Sequence, residues 1–150
     1  MRESMGLYRG KRIDNGERVE GYLFIIKRYS TDIDHYFILP TDTIYGYDDL
    51  LLMAWEVDPD TVGQYTGLTD KNGKKIFEGD IVAQSWYDHD EPIVDVFGEV
   101  VYCTNDCSFS VLNIEKEVME TLGHANAFVW EIEVLGNIHD HPELLKGGED

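Results

Sequence analysis

Cysteine is scarce: Cys103 and Cys107 are the two in 150 residues. That is too few for a disulfide framework. Long apolar runs are missing as well. The longest, Leu50–Trp55, has six residues, against the roughly twenty that a membrane-spanning helix needs. Met1-Arg2-Glu3-Ser4-Met5-Gly6 has no apolar segment behind its basic residue. No signal peptide is therefore expected, and the cytoplasm is the expected compartment. Positive charge is the third shortage. Residues 1–60 carry seven Lys/Arg against twelve Asp/Glu, a balance of −5, and residues 61–150 carry five against eighteen, a balance of −13. From Ile81 onward only Lys116 and Lys146 face fifteen acids. Phosphate backbones are bound by Lys and Arg that displace counterions, so nucleic acid is not an expected partner.

What is present is bulky apolar material. Nine Tyr, six Phe and three Trp can fill a core, so the charge does not imply disorder. The length suits one domain, or two small ones divided into residues 1–60 and 61–150.

Turn signals punctuate the chain closely. Asp14-Asn15-Gly16 is a reverse turn, and Gly21–Arg28 behind it reads as a strand, giving a hairpin. His35–Leu39 is a further strand ended by Pro40. Asp48–Val57 suits helix or strand, with a strand around Leu51–Val57 preferred. Strands follow at Val62–Gly67, Lys74–Phe77 and Ile81–Tyr87, then a charged loop at Tyr87–Pro92. Val94–Cys103 reads as a strand bent or bulged at Gly98, and Phe109–Leu112 as another. Ile114, Val118 and Leu122 recur every four residues between Asn113 and Gly123, which predicts a short helix capped by Asn113. In Phe128–Gly136, Trp130, Ile132 and Val134 alternate with Glu131 and Glu133, a half-buried strand. Asp140 and Pro142 start a last helical turn. The expectation is mainly β: about nine antiparallel strands and one helix, with Gly79–Asn137 closing into a small SH3-like barrel.

One segment is long enough to carry a family resemblance. Gln64-Tyr65-Thr66-Gly67-Leu68, then Asp70-Lys71-Asn72-Gly73, then Ile76-Phe77-Glu78-Gly79-Asp80-Ile81-Val82, resembles the central signature of the YopX family. Tyr8-Arg9-Gly10-Lys11 with Gly21-Tyr22-Leu23 resembles that family's start, and Gly136-Asn137 with Pro142 its end. Arg18-Val19-Glu20 stands where the family often has Trp, and both cysteines lie outside its pattern. The resemblance implies a mainly β protein of phages or prophages, working in the host cytoplasm, and it brings no established activity.

Two readings of the signature stand side by side. One makes Asp70, Asn72-Gly73 and Glu78-Gly79-Asp80 the chemistry of two reverse turns, with Ile76 packed between them. The other makes the segment a binding loop that displays Tyr65, Lys71 and Lys74. Trp86 and Tyr87, with Tyr8 and Trp55, are either core or an aromatic contact surface for a protein. Cys103 and Cys107 with His139 and His141 have spacing that permits zinc, though no second Cys pair exists. Asp88-His89-Asp90-Glu91 and Asp32-Ile33-Asp34 do not match a calcium loop. No phosphate-cradling glycine loop and no nucleophile elbow occurs, so no cofactor, small molecule or catalytic residue is expected. The leading expectation is a non-enzymatic accessory protein that binds a protein or its own copy. The alternative is an acidic DNA mimic that occupies a host DNA-binding enzyme. A hydrolase built around His139 comes third.

Overall fold

The computed structural model describes residues 6–27, 33–41, 53–114, 117–123 and 130–146. Among the described residues eleven strands and two short 3-10 turns are present, and the chain divides into two units, Met1–Tyr65 and Thr66–Asp150. Among the described residues no helix is long and apolar enough to cross a membrane.

In the first unit, β1 (Leu7–Lys11) and β2 (Arg18–Lys27) form the expected hairpin, with Lys11 opposite Arg18 and Leu7 opposite Tyr22. Its turn is closed by Gly16 N–H donating to the Arg12 carbonyl at 2.9 Å, while Asn15 Oδ1 accepts from Glu17 N–H. β3 (Asp34–Pro40) runs back along β2, and β4 (Trp55–Val57) pairs with β3. The strand expected over Leu51–Val57 is thus present from Trp55 on, while residues 48–52 lie outside the described residues. β5 (Gly63–Thr69) begins on the far side of β1, where Gln64 faces Tyr8. Strand alternation puts Val19, Ile38 and Val57 on one face, and Tyr8, Leu23, Tyr36 and Trp55 pack against them. Ile38 and Val57 are fully buried. Each such side chain contributes about 1.5–3 kcal/mol.

In the second unit, β5 passes into a hairpin with β6 (Lys75–Phe77). A five-stranded antiparallel sheet follows: β7 (Asp80–Asp88), β8 (Glu91–Cys103), β9 (Ser108–Asn113), β10 (Val118–Thr121) and β11 (Trp130–Asn137), ordered β10-β9-β8-β7-β11. Its core is Ile76, Val82, Val96, Val100, Val111, Leu122 and Ile132. The mainly β antiparallel fold is as expected, but among the described residues the SH3-like barrel does not close. Closure would pair β10 with β11, and these strands stand at opposite ends of the sheet.

Three local expectations are corrected. The helix between Asn113 and Gly123 is a hairpin instead, with Val118 opposite Asn113 and Thr121 opposite Ser110. A four-residue spacing fits a helix, but as an even number it fits one face of a strand equally. Asn113 does not cap; its side-chain amide donates to the Phe97 carbonyl at 2.8 Å. The charged loop expected at Tyr87–Pro92 is instead the end of a strand hairpin. Asp88 pairs with Glu91 across a two-residue turn, with His89 and Asp90 both at positive φ, 49° and 72°, the type I′ geometry that matches strand twist. Gly98 is not a bulge. It pairs in register with Val82, and the shifts fall between Trp86 and Tyr87 and between Val134 and Gly136.

Candidate functional site

The signature segment is a set of backbone contacts built around two carboxylates. Gly73 sits at φ 82°, its N–H donating to the Asp70 carbonyl at 3.0 Å, and Asp70 N–H donates to the Lys74 carbonyl at 2.7 Å. The Asp70 side chain then does two jobs. Its Oδ1 accepts from the N–H groups of Asn72 and Lys74, both at 2.9 Å, which fixes the turn. Its Oδ2 accepts from Val134 N–H at 3.0 Å, and Lys71 N–H donates to the Ile132 carbonyl at 2.8 Å. The turn therefore takes up two backbone groups on the outer side of edge strand β11, Val134 N–H and the Ile132 carbonyl. An unpaired strand edge invites another chain to pair with it, and a covering loop prevents that. Burial pushes the Asp70 carboxyl up, but the N–H donors of Val134, Lys74 and Asn72, helped by the charge of Lys74, together hold it below its ordinary value. Lys71 Nζ lies 3.4 Å from Glu133 Oε2, with both side chains well exposed, a pair that contributes little to stability.

The second carboxylate, Asp80, is 1% exposed. Its Oδ2 accepts from Phe77 N–H at 2.8 Å across the Glu78-Gly79 turn, where Gly79 has φ 87°. Gly79 also joins two neighbours: its N–H donates to the Val100 carbonyl and its carbonyl accepts from Ile138 N–H, each at 2.9 Å. Asn137 Oδ1 in turn accepts from His139 and Asp140 N–H. At Gly136 a Cβ would stand 2.8 Å from His141 Nδ1. Pro142 opens the final 3-10 turn, Pro142–Lys146. Ile76 is fully buried, Tyr65 is buried at the end of the first unit, and Gly67 lies in β5 at φ 88°.

The other sequence candidates are dispersed. Trp86 is half-buried against the core of the second unit, and Tyr8 and Trp55 pack on that of the first. Tyr87 lies in β7, its side chain outside the described residues. Cys103 is half-buried and Cys107 exposed, both free thiols around the β8–β9 turn. Cys103 Sγ lies 3.8 Å from Asp106 Oδ2. Among the described residues no three His, Cys, Asp or Glu side chains gather in a way that could hold a metal ion.

Sequence reading missed Glu99. It lines a cleft of about 390 Å³ with Leu112, Ile114, Pro142, Leu145 and Lys146. These residues are far apart in the chain, so no local pattern marks the cleft. Burial alone pushes the Glu99 carboxyl up. A raised carboxyl penalises folding at neutral pH, where it is ionised, and the penalty disappears as pH falls below its ordinary range. Glu99→Gln is therefore expected to raise the melting temperature at pH 7 and to leave it unchanged near pH 3, as read by thermal unfolding at both pH values.

A family model described as YopX protein matches residues 8–146. No curated protein matches the chain.

Proposed function

The chain belongs to the YopX family, and from that premise we propose that it is a non-enzymatic phage or prophage accessory protein that acts by binding another protein. One observation carries this reading. On the face of the first unit's sheet turned away from Ile38 and Val57, Tyr22, Phe24 and Ile26 alternate along β2. Phe37 and Leu39 lie beside them on β3. Phe24 stacks on Phe37 with ring centroids 5.4 Å apart and planes 12° apart, and Tyr22 is 50% exposed. Aromatic side chains held rigid by a sheet give large contact area at low entropic cost, the composition of interface hot spots. A half-exposed tyrosine can be removed without unfolding the sheet.

The test is affinity capture from host lysate with wild type and Tyr22→Ser. Wild type should retain a discrete partner, and Tyr22→Ser should retain at least about tenfold less while melting at the same temperature. A wild-type chain that stays monomeric and retains nothing would end this reading. So would equal retention by the variant.

A further inference from the structure

The cleft beside Glu99 has an unusual charge arrangement. Leu112, Ile114, Pro142 and Leu145 supply apolar wall, and Glu99 supplies a half-buried carboxylate. Among the described residues, that carboxylate accepts no hydrogen bond and forms no ion pair. Lys146 lines the same cleft but is exposed, and it forms no ion pair among the described residues. An unpaired, partly desolvated charge costs stability unless something neutralises it.

We propose that this cleft receives the cationic side chain of a Lys or Arg presented by the partner protein, its aliphatic stem along Leu112, Ile114 and Leu145 and its charged head on Glu99. Lys and Arg combine an apolar stem with a charged tip, which matches the apolar side chains of Leu112, Ile114, Pro142 and Leu145 beside the half-buried Glu99 carboxylate, with Asn113 a further polar residue of the lining. Glu99 outweighs Lys146 in choosing the ligand's sign. A half-buried charge is screened less than an exposed one. The wider field agrees: fifteen acids against two lysines from Ile81 onward repel anions and attract cations. The proposal rests on the protein-binding reading above and adds the chemistry of the partner's contact.

The probe is n-butylguanidinium, a guanidinium on a four-carbon stem, titrated into the isotope-labelled full chain while amide resonances are followed. Binding of so small a ligand should be in about the millimolar range. Shifts should centre on Glu99, Leu112, Ile114 and Leu145, and n-butanol should not reproduce them. Glu99→Gln should weaken binding at least about tenfold. Glu99→Asp, with the charge drawn back by one methylene, should fall between. Lys146→Ala should bind equally or better. An equal response to n-butanol, undiminished binding by Glu99→Gln, or loss of binding in Lys146→Ala would each overturn the proposal.

Capture experiments separate this from the parent reading. If wild type and Glu99→Gln retain a partner equally, the cleft assignment fails and protein binding stands. If wild type retains nothing, the parent reading fails, and the titration alone decides the cleft.

Discussion

Gly98→Ala is expected to lower the melting temperature by roughly 10 °C. A Cβ at position 98 would be driven onto the Leu112 carbonyl, 2.7 Å from its carbon and 3.1 Å from Asn113 N. All three are backbone atoms of the β9 terminus, so no side-chain rotation relieves the clash. The strands must part instead. Parting costs the Asn113 side-chain bond to the Phe97 carbonyl and disturbs the pairing of Glu99 with Leu112. Overpacking of this kind costs about 3 kcal/mol, more when backbone must move. Val100 and Val111, both buried on the adjacent pairing, would lose contact with it. Thermal unfolding checks this, and an unchanged melting temperature would mean that β9 does not approach β8 so closely at Gly98.

The second large effect belongs to Asp70. Asp70→Ala removes three accepted backbone bonds at once, from Asn72, Lys74 and Val134. Bonds to a charged acceptor each contribute about 1.5–3 kcal/mol, and donors left buried without a partner add to the loss. We expect a destabilisation of about 3 kcal/mol, since part of the turn can rehydrate. The pH dependence follows from the lowered carboxyl. A group held down in the folded state stabilises fully above its ordinary range, and that stability is lost as pH falls through its folded value. The gap between wild type and Asp70→Ala should therefore be widest near neutrality and narrow in acid. A gap that is flat with pH would show that the carboxylate's charge is not what holds the turn.

Much of the fold was legible because turn chemistry is local. Asn15-Gly16, Asn72-Gly73 and Gly79-Asp80 each mark a reversal that depends on residues beside them. The alternation of Ile132 and Val134 with Glu131 and Glu133 likewise gave strand β11 directly. The failures share a cause. Ile114, Val118 and Leu122 are spaced by four, which cannot separate the two periods, and pairing with β9 decides the matter. His89-Asp90 lacks glycine, so its type I′ turn is set by the strands on either side. The missing barrel closure is nonlocal as well, since it turns on which segment meets the outer edge of β11. The site was the least legible part. Asp70 could be read as a turn residue, but its second oxygen reaches Val134, sixty-four positions away, and the Glu99 cleft is assembled from three distant segments.

The Asp70 turn covers the outer side of β11 through Val134 N–H and the Ile132 carbonyl. Asp70→Asn isolates the first of these contacts. The amide keeps one oxygen for Asn72 and Lys74 but turns an N–H₂ group toward Val134 N–H, donor against donor. Amide hydrogen exchange read residue by residue should find Val134 exchanging much faster in Asp70→Asn, with Lys74 close to its wild-type rate. A Val134 amide as protected in the variant as in the wild type would contradict that contact.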